Sequence, residues 1–202
     1  MNEDRGPDLL DTPPADPLTL VRRWLEDARA QGAAEPTAMS LATVDPDGAP
    51  SVRFVALADL TADGIVFATS SASPKARDMA TDPRVALALH WPETMRQVRV
   101  VGTAVPLPDP ESDRLFAGTP RDAQASLVTA RQSEPLESEA ALHRAARELA
   151  ASAQPLTRPP DWQGMLVVPS RVELWEASED KVHRRLAYTR TGAGWRTQRL
   201  QP

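Results

Sequence analysis

The sequence has no cysteine, which excludes disulfides, thiolate metal sites and a cysteine nucleophile. Its three histidines, His90, His143 and His183, lie far apart and lack zinc-ligand spacing. No apolar run reaches the roughly 18 residues that a membrane span needs. The first residues, MNEDRGPDLLDTPPADP, are acidic and proline-rich, without the basic-then-apolar order of a secretory signal. Positive charge is also in deficit: the net charge is −5 and the pI about 5.3. That argues against nonspecific binding to nucleic acid or to an anionic membrane. Both common nucleotide fingerprints, the dinucleotide glycine pattern and the P-loop, are missing. The expectation is a cytoplasmic protein with a small-molecule ligand, no nucleic acid and no membrane.

What is present suits one domain. The chain has 202 residues, 41% of them hydrophobic. Residues 1–15 read as a flexible lead and 16–202 as the domain. Asp16-Pro17 predicts a helix start by the cap-plus-proline rule, with Leu18, Val21, Trp24, Leu25 and Ala28 inward and Gly32 as the stop. Strands are expected over Thr37–Val44, Val52–Ala58, Ile65–Thr69, Val85–Trp91 and Gln97–Val105, with a short helix over Pro74–Thr81. Asp63-Gly64 predicts a hairpin between the second and third strands. Helices follow over Pro110–Ala117 (capped by Asp109), Pro120–Thr129 and Glu137–Ala153. The last of these carries Ala141, Leu142, Ala145 and Leu149 on one stripe. After a proline-rich linker, strands over Met165–Glu176, Val182–Tyr188 and Trp195–Leu200 close the chain. Short connections imply a largely antiparallel sheet: an α+β fold, a small barrel with added helices.

One stretch suggests chemistry. Arg53 sits in a strand, while Thr69, Ser70, Ser71, Ser73 and Lys75 crowd the end of another where Ser73-Pro74 opens a helix. Hydroxyls, a helix N-terminus and two cations make an anion pocket. The same residues also read as a Ser-rich turn beside an exposed strand arginine, and composition leaves both readings open.

The ordered series DPLTLVRRWL, PTAMSLATVDPDGAPSVRFVAL, GIVFATSSASPKA, RQVRVVGTA, ARQS and VELWEAS…VHRRLAY resembles the pyridoxamine 5′-phosphate oxidase family from about Asp16 to Pro202. That resemblance implies a mainly antiparallel FMN-binding split β-barrel with peripheral helices, and a homodimer with FMN at its interface. By position it implies cofactor contacts from Arg53 and the Phe54–Val55 backbone, Thr69, Ser73, Lys75, Gln97, Trp175 and Arg185. Gln132 and Ser133 match a pair usually supplied by the partner subunit. Trp175 read alone is equally a core tryptophan.

Departures from the family pattern bear on the substrate. The family's substrate-phosphate ligands, a Lys, a Tyr, an Arg and a Ser, correspond to Ala58, Leu115, Thr119 and Ala123. Losing charge-assisted bonds worth about 1.5–3 kcal/mol each lowers affinity for a phosphate ester by several orders of magnitude. On the flavin side, Ala68 replaces a Tyr and Pro74 an Arg. ARQSEPLESEAALHRAARELA, the PLTRP linker and the C-terminal tail resemble the FMN oxidases of phenazine biosynthesis. The implied activity is dehydrogenation of a reduced phenazine dicarboxylate, with O2 as reoxidant. The substrate-side set is Lys181, His183 and Arg185, expected on one strand face by their spacing of two, with Ala58, Leu115 and Thr119 as the opposite wall. Lys181 also reads as a solvated strand-end charge, and His183 as a packed core histidine. Alternatives are vitamin B6 salvage, a non-catalytic flavin-binding protein, or a deazaflavin protein of the same fold.

Overall fold

The computed structural model describes residues 9–202. Helix α1 (Pro17–Ala30) begins where Asp16 Oδ1 accepts the Leu18 N–H at 3.1 Å and Pro17 fills the first turn. Leu18, Leu20, Val21, Trp24, Leu25 and Ala28 are buried at helical spacing, the larger ones contributing about 1.5–3 kcal/mol each. Gly32, at φ +76°, ends the helix.

Strands β1 (Ala38–Val44) and β2 (Pro50–Ala56) form a hairpin whose turn is fixed by Asp45 Oδ1 accepting from the Asp47 and Ala49 N–H groups. The expected pairing of Val52–Ala58 with Ile65–Thr69 is corrected. The tight turn at 45–49 sets β2 on β1, and Asp63-Gly64 instead joins a two-residue β3 (Asp59–Leu60) to β4 (Ile65–Ser70). The chain crosses between sheet ends at Leu57-Ala58. There Leu57 N–H still reaches Thr37 O (2.8 Å) while Ala58 N–H reaches Val66 O (2.8 Å), which closes the curl.

The remaining elements are α2 (Pro74–Thr81), β5 (Arg84–Trp91), β6 (Arg96–Pro106), α3 (Asp109–Ala117), α4 (Arg121–Thr129), α5 (Glu139–Ala151), β7 (Trp162–Glu176), β8 (Arg184–Thr191) and β9 (Gly194–Leu200). The sheet order is β2-β1-β5-β6-β7-β4-β3, with β8 on β7 and β9 on β8, and every pairing is antiparallel. This is the expected α+β split barrel. Its interior is filled by Met39, Leu41, Phe67, Leu89, Val98, Val167 and Leu174, all fully buried. β6 alternates as its sequence implies, with Val98, Val100 and Gly102 inward and Arg99, Val101 and Thr103 outward.

β7 is the longest strand. Trp162–Val167 pairs with β4, then Arg171–Glu176 pairs with β8, and β6 runs beside both parts. The register shifts between Val101 and Gly102, where a Cβ on Gly102 would sit 2.4 Å from Val168 O. Helix α5 forms with Ser138 as its cap, yet none of its residues is buried. Its last carbonyls are held by Arg121, which donates to Ala150 O (2.9 Å) and Ser152 O (2.6 Å). Asp109 does not cap α3: it lies in the first turn after Pro108 and pairs with Arg158 at 2.7 Å.

Residues 1–8 of the expected flexible lead lie outside the described residues. The rest of that lead is docked, which corrects the expectation. Leu10 is buried, Tyr188 Oη donates to Pro14 O (3.1 Å), Arg199 donates to Leu10 O (3.0 Å) and Arg184 pairs with Asp11 (2.7 Å). An apolar side chain and carbonyls facing two donors outweigh the local proline content.

Candidate functional site

Thr69 shares the inward face of β4 with Phe67, and Ser73 caps α2 immediately after the strand. Both are buried, and their hydroxyls lie 3.1 Å apart. Lys75, in the first turn of α2, turns back so that Nζ donates to Thr69 Oγ1 at 3.1 Å. Among the described residues that hydroxyl is the only hydrogen-bond partner of Lys75 Nζ, although the residue is just 7% exposed. Arg53 closes the group. It donates to Thr43 Oγ1 (2.7 Å) and Ser51 Oγ (2.7 Å) and lies 3.7 Å from Asp78 Oδ2. Burial, and then the nearby Arg53 charge, lower the Lys75 pKa from its ordinary value. Two cations thus share a desolvated corner with one carboxylate, which is bound to Arg53 and Thr43. The two cations outnumber that carboxylate, and a phosphate group fits the donor set.

Gln132 joins the same corner. Its Oε1 accepts from Ser70 N–H (3.1 Å) and Thr69 Oγ1 (3.3 Å). The resemblance assigns this glutamine to the partner subunit; in the structure it lies against its own chain, three residues past the end of α4. Ser133 follows with φ +69°.

Gln97, Trp175 and Arg185 form one row across three strands, since Gln97 pairs with Trp175 and Trp175 with Arg185. Side chains in directly paired positions share a face. By alternation this row lies on the outer face with Phe54, which is 78% exposed, whereas Arg53 and Val55 point the other way. A single chain therefore does not gather the predicted cofactor residues into one place. Arg53, Thr69, Ser73, Lys75 and Gln132 meet at the barrel end, and Gln97, Trp175 and Arg185 meet on the outside.

The expected substrate strand is corrected. β8 starts at Arg184, so Lys181 and His183 belong to a loop. Ser178, Glu179, Asp180 and Lys181 turn tightly: Lys181 N–H reaches Ser178 O (3.1 Å), Lys181 has φ +65°, and Asp180 Oδ1 accepts from Val182 N–H (2.9 Å). Lys181 and His183 therefore do not share a strand face with Arg185. His183 Nδ1 accepts the Ser178 N–H (3.2 Å), which places any neutral-ring proton on Nε2. Its ring centroid lies 4.9 Å from that of Trp175, so the loop delivers His183 to the outer row by another route.

Of the opposite wall, Leu115 packs against Gly164, where a Cβ would come within 2.8 Å of its Cδ1. Thr119 Oγ1, just past α3, donates to Leu115 O at 3.0 Å and is thereby engaged by the end of that helix. Ala123 lies in α4, and Ala58 is exposed at the crossing between sheet ends. None of the four offers a cation, and the one hydroxyl is already engaged.

Residues 25–153 match the family model "Pyridoxamine 5'-phosphate oxidase", and residues 162–202 match "Pyridoxine 5'-phosphate oxidase C-terminal dimerisation region". The chain belongs to the pyridoxamine 5′-phosphate oxidase family. Within it, a pyridoxine/pyridoxamine 5'-phosphate oxidase of Rubrobacter xylanophilus is 46% identical over 189 residues, covering 93% of this chain and 87% of the relative. A dihydrophenazinedicarboxylate synthase of Pseudomonas chlororaphis is 38% identical, covering 94% and 86%. The crystal structure of PhzG from Burkholderia lata, in complex with tetrahydrophenazine-1-carboxylic acid, superposes with a TM-score of 0.92 at 38% identity, covering 98% of each chain.

Sequence reasoning missed Thr43, Asp78 and Glu173. Thr43 and Asp78 are linked at 2.7 Å beneath Arg53. Asp78, five residues after the Ser73 cap, carries a weak signal: it faces inward on a short helix. Glu173 carried none, because it occupies an outward position in a strand where a carboxylate ordinarily meets water.

Proposed function

We propose that the protein is a cytoplasmic, homodimeric FMN-dependent oxidase that dehydrogenates a reduced phenazine carboxylate. The observation that carries this reading is the combination of an under-paired cationic corner and a wall without phosphate ligands. Lys75, Arg53, Ser73 and Thr69 supply donors for the FMN phosphate, with Gln132 at the rim. Gln97, Trp175 and Arg185, brought by the second chain, complete the site, and the match of residues 162–202 to a dimerisation region supports that arrangement. FMN held there would supply hydride acceptance, with O2 as the reoxidant. The protein's own part is positioning. Trp175 offers an aromatic face, His183 presents its Nε2 edge, and Lys181 adds positive charge for a carboxylate. Leu115 and Ala123 leave room and an apolar surface for a tricyclic ring. The membrane plays no part in this reading, and among the described residues no helix is long and apolar enough to cross one.

Overall identity does not discriminate between branches, since pyridoxine phosphate oxidases reach 46% and phenazine enzymes 38–39%. Vitamin B6 salvage is therefore the second reading. The test is turnover of the FMN-loaded protein with pyridoxine phosphate and with a reduced phenazine carboxylate, following O2 consumption. Turnover of the phenazine substrate alone is expected. Comparable or faster turnover of pyridoxine phosphate transfers the assignment to the B6 reading. Loss of the oxidised-flavin band on anaerobic mixing separates an oxidase from a flavin-storage protein.

A further inference from the structure

Glu173 is only 5% exposed, although it lies on the outer face of the sheet. It sits between two strands: Arg99 on β6 is its paired neighbour, and Arg185 on β8 reaches it diagonally. Arg185 Nε (3.1 Å) and Nη2 (2.7 Å) both donate to Glu173 Oε1, while Nη1 donates to Gln201 O (2.9 Å). The other oxygen, Oε2, lies 3.6 Å from Arg99 and 3.5 Å from Arg171. Three guanidiniums face one carboxylate, for a net charge of +2.

The arrangement fixes Arg185 without exhausting it. A guanidinium has five N–H groups. Glu173 and Gln201 take three, one each from Nε, Nη1 and Nη2, which leaves one on each terminal nitrogen. We propose that Glu173 is a positioning residue for the flavin site, pinning the Arg185 guanidinium so that its remaining N–H pair is already oriented when the cofactor arrives. This rests on the reading of Arg185 as a flavin contact. A long side chain ordered beforehand does not lose its rotamer freedom on binding, which is how preorganisation raises affinity.

Bare electrostatics predicts the opposite effect. Removing the Glu173 charge raises the cluster from +2 to +3, which attracts an anionic cofactor more strongly. The sign of the effect therefore decides.

The experiment titrates FMN into full-length apoprotein, following quenching of flavin fluorescence, for the parent, Glu173→Gln, Arg185→Ala and the double variant, with a melting curve for each. Glu173→Gln is expected to weaken FMN roughly fivefold to tenfold, and to have no further effect once Arg185 is alanine. Unchanged or tighter FMN binding in Glu173→Gln overturns the proposal. So does a loss that persists in the Arg185→Ala background, which makes Glu173 a structural residue. An Arg185→Ala variant with parental affinity overturns the flavin-contact reading itself, and the proposal with it. Should Glu173→Gln fail to fold, Glu173→Asp serves in its place. It keeps the charge near Arg99 and Arg171 but is one methylene too short to hold Arg185, and parental FMN affinity in that variant overturns the proposal.

Discussion

Replacing Lys75 by methionine should move stability and cofactor affinity in opposite directions. Lys75 is buried, bonded among the described residues only to Thr69 Oγ1, and sits beside Arg53. Its pKa is lowered in the fold, so the unfolded chain binds that proton more tightly. The resulting destabilisation is fully present below the folded pKa and is relieved as pH rises towards 10.5, the unfolded value. Methionine keeps all but the last atom of the side chain and removes the charge, so the apoprotein should be as stable as the parent at pH 7, or more so. FMN should suffer, because one charge-assisted hydrogen bond to its phosphate is worth about 1.5–3 kcal/mol. At 1.4 kcal/mol per tenfold, that loss weakens binding roughly 10- to 150-fold. Calorimetric melting of the apoprotein and a fluorescence titration with FMN measure the two effects separately. A Lys75→Met apoprotein that melts lower while binding FMN normally would refute the reasoning, since the ammonium would then be a structural group.

Three further outcomes follow, one at Lys75 and two elsewhere. As pH rises towards 10.5, FMN binding should take up protons, because the phosphate favours the charged form of a Lys75 whose pKa is lowered in the apoprotein; calorimetry in two buffers of different ionisation enthalpy reads this, and Lys75→Met should abolish it. Gly64→Ala should cost about 1–3 kcal/mol or more, because its Cβ would fall 2.0 Å from the backbone oxygen of Val167; a denaturant midpoint at the parental value would contradict the close approach. Tyr188→Phe should remove one bond to Pro14 O, about 1 kcal/mol or a drop of some 2–4 °C in Tm. Burial, and then Asp16, push the Tyr188 phenol up to about 12, so its stabilising contribution falls as pH rises from 10 towards 12, a slope that the phenylalanine variant should lack.

The helix starts were legible because each is written in two or three adjacent residues: Asp16-Pro17 and Ser73-Pro74 cap α1 and α2 as read. β6 was legible because alternation over Gln97–Val105 needs no partner to be seen. Partner choice is different. Nothing in Val52–Ala58 says whether it pairs backwards or forwards, and a tight turn at 45–49 decided it. The cationic corner was readable as a list of donors, whereas the carboxylate of Asp78 beneath Arg53 depends on how α2 packs over β1. Lys181 was misplaced because a spacing of two was applied from Lys181 to Arg185, although the strand begins only at Arg184 and Ser178–Lys181 make a turn. The outward Glu173 was invisible because its burial comes from three arginines on three strands.

Strand β7 has a further consequence. Trp162 at its start pairs with Ser70 beside the cationic corner, and Trp175 near its end carries the aromatic row. Thirteen residues and a register shift separate them, at most roughly 40 Å of chain, which sets the two groups of contacts at opposite ends of one strand. On the proposed dimer, a subunit lacking Arg53 and another lacking Arg185 would therefore rescue each other. Their mixed dimer holds one site with both lesions and one with neither, and it should bind a single FMN per pair of chains.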